Sequence, residues 1–218
     1  MLSFTEENYL KAIYHLSESG TAEVLTNAIA ESMSTKAASA TDMIKKLSAK
    51  KLISYEKYYG VKLTPSGKTE ALLIIRKHRL WETFLVQQLG FTWDEVHEVA
   101  EQLEHIQSPL LIQKLDEFLG FPKLDPHGEP IPDNKGRIKL LPQSSLDQLT
   151  IGYQGVITAV KDSEPALLKY LGKIGATPGQ KIKLVGKEEY DGSIEIEINR
   201  QGRITISKEV SKRILVTV

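Results

Sequence analysis

The stretch VHEVAEQLEH, residues 96–105, carries His97, Glu101, Glu104 and His105 within ten residues. Imidazole and carboxylate together are the ligand set of a borderline-hard divalent cation such as Mn²⁺, Fe²⁺ or Zn²⁺. If the whole stretch is helical, about 100° per residue puts Glu101 about 40°, Glu104 about −20° and His105 about 80° from His97, so all four share one face. A solvated acidic face with two ordinary histidines gives the same pattern. A second pair, His78 and Glu82, stands at i, i+4 in RKHRLWETFL, on one face of another predicted helix. Two such helices in succession are what a binuclear or two-site metal centre requires.

The rest of the composition narrows the chemistry. The 218 residues contain no cysteine, which excludes a disulfide framework, a thiolate zinc site and a cysteine nucleophile. The first residues, MLSFTEENYL, are acidic where a secretory signal is basic, and no stretch of about 18 apolar residues occurs, so a soluble, cytoplasmic chain with no membrane partner is expected. Net charge is zero, but it is unevenly spread. Residues 34–68 hold eight lysines against Asp42 and Glu56, whereas residues 90–120 hold seven acids against Lys114. The first region suits phosphates and the second suits cations.

The elements that must position these groups follow from periodicity. Residues 5–19 predict a first helix, N-capped by Thr5 and stopped by Gly20, and residues 24–33 a short second one. Ser34-Thr35 opens a third, to about residue 51, with Ala37, Ala40, Ile44 and Leu47 on its apolar side. Helix, short turn and basic helix make a helix-turn-helix. The β-prone runs 52–59 and 61–64 meet at Gly60 and add a hairpin, completing a winged helix. A plain helical bundle with a decorative hairpin is the alternative. In the winged-helix reading, Thr35, Lys36, Ser39 and Asp42 face DNA from the recognition helix, and Lys57, Tyr58 and Lys62 from the wing.

Thr64-Pro65-Ser66 starts a long helix to about Leu89. Thr92 or Asp94 caps the metal-candidate helix to about Gln107, and Ser108-Pro109 opens another to Leu119. Their apolar content exceeds what one small domain needs to cover itself, which predicts a homodimer interface. Residues 121–149, with five prolines, read as an extended linker in which His127 is a turn residue. Strands are expected at 155–160, 181–185, 193–198, 203–206 and 214–218, with a helix at 165–171, forming a small barrel. The fold class is α+β: a winged helix-turn-helix at 1–64, an all-helical dimerisation and metal-binding domain at 65–121, a Pro-rich linker at 122–148, and a small SH3-like β-barrel at 149–218.

The stretches NYLKAIYHL, IAESMSTKAASATDMIKKL, LISYEKYYGVKLTPSGK, RKHRLWETFL, VHEVAEQLEH and DPHGEPIP, in this order, resemble the diphtheria-toxin-repressor family of metal-dependent transcriptional regulators. The first half is especially similar to its manganese transport regulator branch, and the C-terminal part resembles the SH3-like, FeoA-type domain of longer members. The resemblance implies a primary metal site at Asn8, Glu101, Glu104 and His105. It also implies an ancillary site at His78, Glu82 and His97, completed from the barrel by Asp162 or Glu164. It further implies about two Mn²⁺ or Fe²⁺ ions per subunit and a palindromic double-stranded operator bound by a homodimer. Glu101 stands where the iron-responsive branch has cysteine, which hardens the site toward Mn²⁺ or Fe²⁺. Lys11 stands where the manganese branch has a second acid, and its ammonium would repel a cation there, so the second ion is expected around His78, Glu82 and His97. A metallohydrolase built on the same cluster is the rival reading, but no separate catalytic constellation accompanies it and the basic winged helix would be idle.

Overall fold

Helix α1, Phe4–Leu16, begins with Ser3 as N-cap: its hydroxyl accepts from Glu6 N (3.3 Å) and its own N–H reaches Glu6 Oε2 (2.8 Å). This S-x-x-E capping box displaces the expected Thr5 cap by two residues. The computed structural model describes residues 2–56, 59–139, 142–161, 164–200 and 202–217. Lys57, Tyr58 and Asp162, three of the candidate site residues, lie outside the described residues.

Helix α2 is Thr26–Ser32, shorter than the periodicity predicted, because Val24 is taken up by backbone pairing with Val61 (2.9 and 2.8 Å). Helix α3, Ala37–Ala49, opens after Lys36, not at Ser34, whose φ of +47° is outside the helical region. Its inward residues Ala40, Ile44 and Leu47 are fully buried. Strands β1, Ile53–Glu56, and β2, Gly60–Leu63, pair antiparallel from Ile53↔Leu63 to Glu56↔Gly60. Gly60 sits at φ +121°, and a Cβ there would come within 2.8 Å of Val24 O, so only glycine lets the wing close against residue 24.

The long helix α4, Pro65–Leu89, starts where the Thr64 hydroxyl accepts from Gly67 N (3.1 Å) and Pro65 takes the first helical position. Helix α5 is Val96–Leu103 and α6 is Pro109–Phe118. Because α5 stops at Leu103, Glu104 and His105 lie in the following turn, and the four candidate ligands do not share one helix face as their spacing predicted.

The remaining strands are β3, Gln143–Ser145; β4, Gln154–Val160; β5, Lys181–Lys187; β6, Ile194–Ile198; β7, Arg203–Ile206; and β8, Ile214–Thr217. They form one sheet of order β3-β8-β4-β5-β6-β7, every pair antiparallel, with register shifts in β4 and β5. Helix α7, Pro165–Lys173, packs Leu168 and Leu171 into the same core as Ile157, Leu184 and Ile196, and α8, Lys208–Ser211, precedes β8. Alternating burial in β6 (Ile194, Ile196 and Ile198 inward, Glu195 and Glu197 half-buried) is the period-2 pattern of SIEIEI made physical. The sequence pattern did not reveal β3.

The chain divides into two compact units. The first comprises residues 1–78, 102–112 and 132–138, and its core joins α1, α2, α3 and the hairpin through Leu10, Ile13, Ile29, Ile44, Leu47 and Val61. The second comprises residues 79–101, 113–131 and 139–218, and holds the sheet core. No helix among the described residues is long and apolar enough to cross a membrane.

Candidate metal centres

In the first unit, the turn after α5 carries Glu104, whose side chain is fully buried. Its Oε2 is 2.6 Å from His78 Nδ1, and the Lys11 ammonium donates to both oxygens, at 2.7 and 2.9 Å. Burial by itself would raise the Glu104 carboxyl, but the His78 hydrogen bond and the Lys11 charge outweigh it and hold it below its ordinary range. Next to it, His105 Nδ1 is 2.6 Å from Glu7 Oε2, and Phe4 stacks on its ring at 4.8 Å. Glu7 Oε1 accepts from Gln107 Nε2 (2.7 Å) and Lys77 Nζ (3.3 Å). Asn8 is the next residue on α1 and is half-buried. The first unit therefore gathers two buried carboxylates, two imidazoles and the Asn8 and Gln107 amides, a donor set that fits a hard-to-borderline dication.

Glu7 and Lys77 were not singled out from sequence. An acid in a first turn is ordinary, and only the fold shows that Glu7 is 4% exposed and meets residues about one hundred positions away. Of the expected primary set, Asn8, Glu104 and His105 belong to this unit. Glu101 belongs to the second unit, where it is exposed in the last turn of α5 with its carboxylate 3.6 Å from His97 Nε2.

The second unit assembles another cluster. Glu82 is buried on α4, with His97 Nδ1 3.3 Å from its Oε1 and His127 Nδ1 3.6 Å from its Oε2. Glu82, Asp125 and His127 offer ligand atoms that all lie within 4.8 Å of one another. Asp125 and His127 sit on a turn within the Pro-rich segment, and both are buried. The Asp125 Oδ1 accepts from the backbone N–H of His127 (2.8 Å) and Glu129 (3.0 Å), which organises the turn. Its buried Oδ2 accepts no hydrogen bond among the described residues and faces Arg79 Nε at 3.3 Å. A buried carboxylate oxygen left this way, beside an imidazole and a second carboxylate, fits a cation ligand.

Burial pushes the Asp125 carboxyl up to about 7 despite the pull of Arg79. For His127, burial alone would favour the neutral ring, but the hydrogen bond and charge of Glu82 reverse that and raise it to about 9. On its far side His127 Nε2 bonds Trp93 O at 2.8 Å, and its backbone carbonyl accepts from Val160 N at the end of β4 (3.0 Å). The turn thus ties α4, the Trp93 loop and the sheet together. His127 is indeed a turn residue, but a buried one inside a carboxylate cluster. Glu164, the barrel candidate among the described residues, is the exposed N-cap of α7 and makes no side-chain capping bond.

The basic face of α3 is solvent-accessible. Lys36 and Ser39 are exposed, Thr35 is half-buried just before the helix, and exposed Asp42 lies 3.6 Å from Lys45. Lys62 points outward from β2 between inward Val61 and Leu63.

Residues 1–61 match the family model described as iron dependent repressor, N-terminal DNA binding domain; residues 64–133 match iron dependent repressor, metal binding and dimerisation domain; and residues 144–218 match the FeoA domain. A diphtheria toxin repressor of Corynebacterium jeikeium (strain K411) is 26% identical over 97% of this chain and 96% of that protein. A solved manganese-dependent transcriptional repressor in complex with manganese is 34% identical, with a TM-score of 0.89 over 97% of this chain and 99% of that one. ScaR with bound Zn²⁺ is 33% identical, with a TM-score of 0.80 over 98% and 99%.

Proposed function

Because this chain belongs to the iron-dependent, or diphtheria-toxin-repressor, family of metal-dependent transcriptional regulators, we propose that it is a repressor whose hold on operator DNA is set by Mn²⁺, with Fe²⁺ the second choice. The family is one of DNA-binding repressors and not of enzymes, and nothing supports the metallohydrolase alternative. The observation that carries the proposal is the cluster of buried Glu7, Glu104 and His78 with half-buried His105, which grips α1 in the same compact unit as the basic helix α3.

Asn8, Glu104 and His105, with Glu7 beside them, would hold the first ion within the first unit, and Glu82, His97, Asp125 and His127 the second within the other. Each ion supplies a concentrated positive charge that orders several carboxylates and imidazoles at once. Oxygen and nitrogen ligands without a thiolate suit Mn²⁺ and Fe²⁺, although affinity order alone favours Zn²⁺. The chain's own part is mechanical. Glu104 and His105 draw on α1, and α1 is packed through Leu10 and Ile13 against the core that seats Ile44 and Leu47 of α3. Fixing α1 therefore fixes the orientation of the recognition helix, whose Lys36 and Ser39 face a major groove while Lys62 reaches a backbone phosphate. Around a second ion, Glu82 of α4 and Asp125 and His127 of the turn at residues 125–129 would be held together, and His127, whose carbonyl accepts from Val160 N of β4, would steady the C-terminal sheet.

Exposed Leu110, Leu111, Phe118 and Phe121, on and just after α6, are the apolar surface for the homodimer, and the dimer's symmetry makes its operator a palindrome. We assign residues 1–64 to the DNA-binding head, 65–121 to dimerisation and metal binding, 122–148 to the connecting segment and 149–218 to the SH3-like domain. To test the proposal, duplexes are selected from a random-sequence pool in Mn²⁺, and their binding is measured by fluorescence anisotropy in Mn²⁺ and in EDTA. Affinity should fall by about 5- to 150-fold without metal. Equal binding in both conditions overturns it.

A further inference from the structure

We infer that Lys11 is the resident counter-ion of the Glu104 cluster when no metal is bound, and that a divalent ion gains Glu104 only by exchange with the Lys11 ammonium. This deepens the proposed metal reading and rests on it.

The geometry is that of a stand-in cation. Glu104 is fully buried, and a carboxylate in that position stays ionised only beside positive charge or strong donors. Lys11 Nζ spans both carboxylate oxygens at 2.7 and 2.9 Å, the place in front of a carboxylate where a chelated cation also sits. It reaches there from α1, one turn beyond Glu7 and three residues beyond Asn8, so it shares a helix face with residues expected to bind the ion.

The cluster's other carboxylate has the same provision, since Lys77 Nζ is 3.3 Å from Glu7 Oε1. Two carboxylates thus face two ammonium groups. The metal-free cluster is charge-compensated, and the repulsion between uncompensated acids that would otherwise loosen the head is absent. A dication at Glu104 would meet the Lys11 ammonium at hydrogen-bond distance from its own ligand. Lysine can yield: its stem is flexible, and its side chain is 14% exposed, which gives it a route to water. The free energy of the Lys11–Glu104 pair is therefore subtracted from metal affinity. It sets the concentration at which the first site fills, and it keeps the metal-free protein folded.

The test compares Lys11→Met with the parent, both in a Glu82→Gln background so that the second cluster is weakened equally, by titrating MnCl₂ against the full chain and following free Mn²⁺ by electron paramagnetic resonance. Lys11→Met should bind Mn²⁺ about tenfold more tightly, about 1.4 kcal/mol. In EDTA its thermal midpoint should be lower by at least about 5 °C. The opposite signs of the two changes are the signature, because a merely structural lysine would lower both. Lys11→Arg, which keeps the charge, should hold the midpoint and bind no more tightly than the parent. Should Lys11→Met not fold without metal, Lys11→Gln is titrated in its place and the same tightening is required. Unchanged or weaker Mn²⁺ binding in the folded variant overturns the inference alone, provided Glu104→Gln abolishes the parent's binding. If Glu104→Gln leaves Mn²⁺ binding intact, the metal reading of this cluster is overturned and the inference with it.

Discussion

Replacing Gly128 by alanine sets two opposed effects against each other, and the structure decides between them. A glycine-to-alanine change that the fold tolerates stabilises by about 0.4–1 kcal/mol through the unfolded chain. Gly128, however, has φ +82°, and a Cβ there would lie 1.8 Å from Thr158 O, 2.7 Å from Thr158 C and 2.8 Å from Ala159 Cα. All three are backbone atoms of β4, so no side chain can swing aside. The left-handed conformation costs alanine about 1–2 kcal/mol. To relieve the clash the turn must back away from the sheet, which breaks the bond from Val160 N to His127 O (3.0 Å) and strains that from His127 Nε2 to Trp93 O (2.8 Å), each worth about 1 kcal/mol. The net expectation is a loss of about 2–4 kcal/mol.

Trp81 and Trp93 are the chain's two tryptophans and both belong to the second unit, so urea unfolding followed by tryptophan fluorescence reads this unit specifically. In the same variant the Glu82, Asp125 and His127 cluster should lose its Mn²⁺. Gly90→Ala is the control: φ is +72° but nothing lies within 4 Å, so only the conformational cost of about 1–2 kcal/mol should appear. If Gly128→Ala unfolds within about 1 kcal/mol of wild type and keeps its Mn²⁺ stoichiometry, the turn is not seated on β4 in this way and the reasoning fails.

Glu104→Ala should abolish metal-dependent DNA binding and also cost about 3–5 kcal/mol in EDTA, since Lys11 and His78 lose a buried partner; a loss under about 1 kcal/mol in chemical denaturation would contradict the buried pairing. Lys36→Ala and Lys62→Ala should each lower the slope of log K against log salt by about 1 if each neutralises one phosphate, and unchanged slopes in both variants would exclude this docking. Zn²⁺ should bind but activate DNA binding less well than Mn²⁺; activation by Zn²⁺ at free concentrations where Mn²⁺ and Fe²⁺ are inert would refute the assignment.

The parts of this protein that sequence reveals are those whose physics is local. Amphipathic spacing located α1 and α3, and alternation located β6 and β7, because one buried face writes its period into the chain; α4 was located by its Thr64-Pro65-Ser66 start. Where a distant partner competes for the backbone, the local reading slips. Val24 reads as a helix residue but pairs with Val61, and Thr5 reads as a cap but yields to Ser3, whose box with Glu6 satisfies two N–H groups at once. The same limit governs the sites. Glu82, His97, Glu104 and His105 are conspicuous because their spacing is unusual within short stretches. Glu7 and Asp125 are not, since an acid in a first helical turn or before a proline is commonplace, and their roles depend on contacts about 100 positions away for Glu7 and about 40 for Asp125.

The two clusters hold carboxylates beside basic side chains, yet the basic groups differ in what they can do. Arg79 donates to Pro130 O at 2.6 Å, pairs with Glu129 and faces Asp125 at 3.3 Å, and its side chain is 8% exposed. A planar guanidinium held at several points cannot leave without dismantling the turn at residues 125–130, so Arg79 shapes its cluster permanently and leaves one Asp125 oxygen without a hydrogen bond. Lys11 instead makes its contact to Glu104 through a single rotatable ammonium at the end of a flexible stem. The first cluster is thus built to exchange its cation and the second to keep its arginine. It follows that deleting the basic group should act oppositely at the two places: Lys11→Met should tighten Mn²⁺ binding, whereas Arg79→Met should weaken it by releasing Asp125 and Glu129 from the turn. Mn²⁺ titration of the two variants side by side checks this, and tighter binding in Arg79→Met would show that both basic residues are competitors and that the distinction is mistaken.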